Sequence, residues 1–485
     1  MKSVLVLTIL ILFSTFANAV TYYVRVDGND SCDGLDNIAD VGDPWGTSCA
    51  WLTIGKCAST LTGGNTCSVQ AGTYTASVTE TTSGGSGTEI IYDGNGVATI
   101  EGQFYISNAD YVHVKNFIIE NSGEAMRLVE SSHCLIDNNT LSSSDTYTLN
   151  NRTNPSDTDN TTSEYNIISN NIILEGSNAA LYISGLYHTI NSNTISGMTG
   201  DVNRDGIFFT GCSYCDIYDN YITTGTHPGA PDPHIDCFQS WGWSHNTNFH
   251  GNVCINPSVQ GSNQIVHISD HETPGMSVYA LAFYNNIFVM SDPGYSPFNI
   301  QESDEGEVID DVKIYNNVFN HTSADGDQAI RLTDVTNALV KNNIIVNYGN
   351  DDDCYYQLNG TTTGFVTDYN LVYDPNISAC ESANDIFGED PLFTLPGSLD
   401  FTLQTGSPAI GAGADLGNSL LYGLDPTSTW MDNVKPLDQD DYGDWEIGSY
   451  VYIEAGPSGG PGTIAGGGTG TIAGGGTGTI VGTEP

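Results

Sequence analysis

The sequence predicts an all-β solenoid, a parallel β-helix built from short stacked coils. Three observations predict it. A strand–Asn–strand unit recurs ten times along the chain. Gly is frequent, 55 of 485 residues, while charged residues make up only 14%. Hydrophobic residues reach 39%, enough for a core, yet a chain so poor in Lys and Glu favours strands and turns over a helical bundle.

The repeat fixes the architecture. It reads VHVKNFII (112–119), LIDNNTL (135–141), IISNNIIL (167–174), TINSNTI (189–195), DIYDNYI (216–222) and onward to VTDYNLVY (366–373). The aligned residues are Asn116, Asn139, Asn171, Asn193, Asn220, Asn252, Asn286, Asn317, Asn343 and Asn370. Asn116 and Asn370 are 254 residues apart over nine intervals, a mean of about 28. A unit of that size cannot enclose its own core, so neighbouring coils must stack strand on equivalent strand at about 4.8 Å. An Asn at each bend can then bond to its copies above and below. A propeller needs roughly 40 residues per blade and does not fit. Length therefore reflects coil number: residues 20–453 form one solenoid.

The ends differ from the repeat. Lys2, the apolar run from Val4 to Phe13 and Ala17-Asn18-Ala19 read as a signal peptide, residues 1–19, cleaved after Ala19. No later segment is long and apolar enough to span a bilayer. Residues 454–485 hold TIAGGGTG twice and read as a flexible linker or surface-attachment segment. Export implies a secreted or cell-surface protein, and the eleven Cys fit that compartment. Disulfides are expected among Cys32, Cys49, Cys57 and Cys67 and between Cys354 and Cys380, with connectivity open. Cys212 and Cys215 form a lone C-x-x-C without the second pair a zinc finger needs, and Cys134 is expected to be the thiol left over.

Charge narrows the partners. Against 58 acidic residues stand 11 basic ones, a formal net charge of −47. Nucleic acid and anionic membrane surfaces both require clustered Lys and Arg, so this balance disfavours both as partners.

TYYVRVDGND (21–30), PWGTSCAWLTIGKCASTL (44–61) and NTCSVQAGTY (65–74) resemble the entrance of secreted right-handed parallel β-helix proteins, the pectate lyase and polygalacturonase-like superfamily. DFTLQTGSPAIGAGADLG (400–417) and DWEIGSY (444–450) resemble the terminal segments of its bacterial choice-of-anchor Q group. The resemblance covers residues 21–453 and implies a single-stranded right-handed solenoid with a short N-terminal capping helix. It implies a polysaccharide partner for many members but no one function, because the superfamily includes lyases, hydrolases, epimerases, adhesins and phage spikes.

Alternation along one set of strands locates a groove, since every second side chain points outward. MRLV (126–129), LYIS (181–184), IFFT (207–210), FQSW (238–241), VHIS (266–269), FNIQ (298–301) and IRLT (330–333) share one pattern. One outward column is Arg127, Tyr182, Phe208, Gln239, His267, Asn299 and Arg331, and Trp241 stands in a second. Exposed aromatics beside amides suit sugar rings, which offer apolar faces and many hydroxyls; a sheet surface rich in Thr, Gln and Tyr for its own sake is the plainer alternative.

Asp205 of NRDGI (203–207) and Asp236 of HIDCF (234–238) occupy equivalent places 31 residues apart, with His267 one coil on and Asp232, His234, Trp241 and His245 nearby. Paired carboxylates at about 5–9 Å are the acid and base of glycosidases. The pattern is similar to the NTDG, DDC and GHG motifs of polygalacturonase-type hydrolases, although Val266-His267-Ile268 lacks the glycines. DPHID (232–236) is also similar to the DPH motif of alginate C5-epimerases, and the related lyases pair a proton-abstracting base with a cation. That resemblance implies His234 or His267 as base and Arg204, Arg127 or Arg331 as neutralising charge.

An acidic surface repels a polyanion unless Ca²⁺ bridges the two, so either calcium takes part or the glycan is neutral. Asp438, Asp440 and Asp444 form a candidate calcium loop with an EF-hand-like opening, although Tyr442 stands where an oxygen ligand is usual. Asp351-Asp352-Asp353 reads as a solvated run. Two functions follow: a polysaccharide lyase or glycoside hydrolase, or a non-catalytic adhesive or glycan-binding β-helix.

Overall fold

Each coil of the chain turns at a two-residue bend, and the residue types at that bend explain the repeat. The first residue is left-handed: φ is 53° at Asn138, 55° at Asn170, 57° at Asp219, 52° at Asn316 and 56° at Asn342. Asn and Asp visit this region because their short polar side chains bond locally. The second is a buried Asn. From Asn139 through Asn171, Asn193, Asn220, Asn252, Asn286, Asn317 and Asn343 to Asn370, each Nδ2 donates to the next Oδ1 at 3.0–3.2 Å. Asp385 ends the ladder by accepting from the Asn370 amide at 3.2 Å.

The computed structural model describes residues 19–42, 47–144, 147–153, 162–176, 178–198, 205–225, 234–257, 264–269, 278–291, 296–301, 309–323, 326–349, 354–377, 380, 382–417, 422–430 and 433–454. Residues 1–18 of the expected signal peptide (1–19), Arg204, Asp232, Asp351–Asp353 and residues 455–485 of the expected tail (454–485) lie outside them. One compact unit runs to Tyr452, and of the second unit, Ile453–Pro485, only Ile453 and Glu454 are described.

Asn116 is not part of the ladder. The place below Asn139 is held by Phe117, whose N–H donates to Asn139 Oδ1 at 3.0 Å. Asn116 itself has φ of 62° and sits at the left-handed bend, bonded to Asp93 and Asn138. The repeat is real, but its first Asn is one position out of step.

Strands stack in parallel on their equivalents. Ile222, Cys254, Phe288, Phe319, Ile345 and Val372 are aligned in successive coils, all at most 1% exposed. Among the described residues, eleven short strands form a second wall, from Val78–Glu80 and Phe104–Ser107 to Ile330–Thr333 and Tyr356–Asn359. The walls enclose one continuous apolar core. The fold is a parallel β-helix.

The expected capping helix does not form as such: residues Ile54–Ala58 make a five-residue turn of helix, too short to cover a coil. Disulfides join Cys32 to Cys49, Cys57 to Cys67 and Cys354 to Cys380. Cys212 and Cys215 are also joined, which removes them as metal ligands. Cys134 is a buried thiol as expected, but Cys237 and Cys254 are thiols too, so three rather than one are left over.

The C-terminal segments clasp the outside of the solenoid. Val253, Ile287, Val318, Ile344 and Leu371 follow the ladder Asn residues and point outward, yet all are buried under Phe393, Phe401, Leu424, Ile447 and Tyr450. Trp430 Nε1 donates to Gly251 O at 3.0 Å, Asn342 exchanges two 2.8 Å bonds with Ala414, and Ser449 Oγ donates to Asn286 O at 2.8 Å. The expectation of an anchor in residues 400–450 gains no support from this packing. No helix among the described residues is long and apolar enough to cross a membrane.

Candidate functional site

The short-strand wall carries the predicted outward column in register. Tyr105, Arg127, Asn150, Tyr182, Phe208, Gln239, His267, Asn299, Arg331 and Gln357 are aligned one per coil. Its middle is not exposed, contrary to the expectation: Phe208 is 9% accessible, Gln239 4%, His267 6% and Asn299 7%. Trp241, in the neighbouring column, is 40% accessible, so a ligand can reach its ring. It meets Phe208 edge-on with ring centres 5.4 Å apart, and Phe208, Tyr182 and Tyr147 continue the aromatic run. Tyr147 was not anticipated, because its strand, YTLNNR, hides the alternation.

Asp205 and Asp236 are brought together as the spacing predicts, but inside the protein rather than in an open groove. Asp205 is 5% and Asp236 0% accessible. Asp205 Oδ1 accepts the Asp236 N–H at 3.0 Å, and Asp236 Oδ1 accepts the Gln264 N–H at 2.9 Å. Gln264 lies one coil beyond Asp236, so the same register that paired the two Asp residues could have found it. With its amide turned so that the nitrogen faces Asp205, Gln239 bridges outward, the nitrogen donating to Asp205 Oδ2 at 2.6 Å and the oxygen accepting from Trp241 Nε1 at 2.7 Å. Burial pushes the Asp205 carboxyl up to about 8. Burial, and then the nearby Asp205 charge, raise Asp236. Such a pair keeps a proton at neutral pH.

Two imidazoles complete the group. His234 Nδ1 stands 3.5 Å from Asp236 Oδ2, with the His234 side chain 28% accessible. The His234 and His267 rings are perpendicular, their centres 5.3 Å apart. Burial, then the neighbouring His234, push His267 down to about 4. His267 Nδ1 is 3.2 Å from Asn299 Nδ2. His245 does not join them; it stacks flat on Tyr279, 4.7 Å away, in the other wall.

Arg127 and Arg331 do not converge here, and Arg204 lies outside the described residues. Arg127 lies four coils from Gln239, about 19 Å at strand spacing, and is engaged by Glu124 at 3.7 Å and the Tyr105 ring. Arg331 is two coils from His267 and is held by Gln357 at 2.8 Å and Asp327 at 3.3 Å. Neither supplies a cation to the Asp–His group.

Calcium takes six to eight oxygen donors. Asp438 caps a 3₁₀ turn by accepting the Asp440 N–H, Asp440 accepts from Trp445 Nε1 at 2.8 Å, and the three carboxylates Asp438, Asp440 and Asp444 do not all lie within 4.8 Å of one another. The charged groups that do converge include two nitrogens, which is not a calcium site.

No family model matches the chain, and no curated protein does. Solved structures similar to it include pectate lyase Pel9A, at 14% identity and a TM-score of 0.39, covering 83% of this chain and 93% of that one. A rhamnogalacturonan lyase matches at 13% identity and 0.39, covering 67% and 87%. PfbA, a surface adhesin of Streptococcus pneumoniae, matches at 13% and 0.38, covering 65% and 82%.

Proposed function

We propose that this is an exported carbohydrate-active protein that cleaves or modifies a polysaccharide, by lyase or hydrolase chemistry, over the short-strand wall around Trp241. The observation that supports this most is the meeting of His234, Asp236 and His267 on the same wall as the half-exposed Trp241 indole, whose strand pairs with that of His267. An indole face stacks on sugar rings, and a carboxylate with two imidazoles is a set able to bind or transfer charge next to it. Holding two carboxylates inside a solenoid opposes stability, and such groups cluster at functional sites. Four disulfides agree with an oxidising compartment.

Asp205 and Asp236 are not an exposed hydrolase acid/base pair, since backbone N–H groups hold one oxygen of each. On this reading Asp205 positions Asp236 and Gln239, and through Gln239 the indole. Purified protein on a glycan panel tests it: absorbance near 235 nm reports elimination, and new reducing ends without it report hydrolysis. Saturable glycan binding without turnover favours the second reading, a glycan-binding or adhesive solenoid. The buried, backbone-tied state of the two carboxylates is the observation on that side.

A further inference from the structure

We infer that His234, Asp236 and His267 form a binding site for one divalent transition-metal ion. Among the described residues these three make a group in which every ligand atom lies within 4.8 Å of the others. His234 Nδ1 stands 3.5 Å from Asp236 Oδ2. Zinc–ligand bonds of about 2.0–2.1 Å place tetrahedral ligand atoms about 3.4 Å apart, so that edge already has the length a bound ion requires.

Asp236 is prepared for such a role. Its Oδ1 is fixed by the Gln264 N–H at 2.9 Å, while Oδ2, on a residue with no accessible surface, has no hydrogen-bond partner. A buried carboxylate oxygen without a donor calls for a positive partner. The surroundings of His267 point the same way. Asn299 faces Nδ1, which leaves Nε2 for an ion, and Asn299 Oδ1 is buried without a partner. Turned over, the amide offers that oxygen to Nδ1–H, the outer hydrogen bond that fixes the tautomer of a metal-bound imidazole.

Two imidazoles and one carboxylate select zinc or another late first-row ion over calcium or magnesium. Three protein ligands leave a position open. On the carbohydrate reading, that position takes a sugar oxygen beside Trp241 and provides the cation that Arg127 and Arg331 do not. That role rests on the proposed function; the site itself does not.

The test uses the full chain stripped with EDTA. Zn²⁺ is titrated by calorimetry and Co²⁺ by its visible absorption, with Ca²⁺ as the comparator because a net charge of −47 attracts cations loosely. One saturable equivalent of Zn²⁺, not displaced by equal Ca²⁺, is expected. Outer hydrogen-bond partners are worth about 10–100-fold in affinity, so Asn299→Ala should weaken binding by that factor and His234→Ala by at least about 100-fold. His234 is partly exposed, so its variant should fold, which circular dichroism confirms. Equal one-site binding by His234→Ala, or no saturable site in the parent, overturns the inference. Loss of the metal site with turnover intact leaves the carbohydrate reading standing. One-site metal binding without any glycan activity or affinity does the reverse.

Discussion

Asp205 accepts the backbone N–H of Asp236 at 3.0 Å, so a carboxylate in one coil sets the place of a carboxylate in the next. The link is short-range in space and 31 residues long in sequence. It makes the pair one unit, and its behaviour with pH follows.

Burial raises Asp205 from the usual carboxylate range to about 8. A carboxyl whose folded value is raised binds its proton more tightly folded than unfolded. Its contribution to stability is therefore complete below about pH 4 and is lost as pH rises through about 8. Asp205→Asn is neutral throughout and keeps the acceptor for Asp236. In EDTA, its stability should gain on the parent by about 2–5 kcal/mol between pH 4 and pH 8.5, read from denaturant midpoints. Parallel curves would show that the carboxyl does not titrate in this window.

His188 gives the opposite slope. It is fully enclosed, with Nδ1 accepting the Asn166 N–H at 3.1 Å and Nε2–H donating to Ser184 O at 3.2 Å. Burial depresses it to about 4. A depressed imidazole contributes stability above its unfolded value of about 6.5 and loses it as pH falls through about 4, roughly 3 kcal/mol in all. His188→Gln should be less stable than the parent at pH 7 and approach it at pH 4. A constant gap between the two would contradict the neutral buried imidazole.

Removing a rung tests the ladder. Asn220→Ala leaves the Asn193 N–H and side-chain amide without their shared acceptor, a loss of about 2–4 kcal/mol. Asn116→Ala, at a bend outside the ladder, should lose about 1 kcal/mol or less. Equal losses from the two changes in chemical denaturation would return Asn116 to the ladder.

The repeat was legible because every coil needs the same amide at the same bend, which writes a period into the sequence. The offset at Asn116 was not, because KNF and NNT read alike until the backbone shows which residue is left-handed. Asp205, Asp236 and His267 could be placed by register. Their burial could not, since alternation says which way a side chain points and nothing about what lies over it. The same blindness applied to IFVM (287–290), buried on both faces because a distant segment covers it.

Trp241→Ala should lower glycan affinity or kcat/KM by about 30-fold, the size of losing one stacked aromatic anchor. At 40% accessibility, its loss should leave the melting temperature within about 2 °C. Unchanged glycan binding would move the site away from the indole.

The clasp formed by residues 393–450 has a consequence for the order of assembly. Coils can stack as they are made, but the stripe of Val253, Ile287, Val318, Ile344 and Leu371 stays bare until the last part of the chain emerges. A half-made or clipped molecule would thus be a nearly finished rod with an adhesive seam, prone to side-by-side association. Residues 393–450 act as a completion signal, and chains cut before Phe393 should associate side by side.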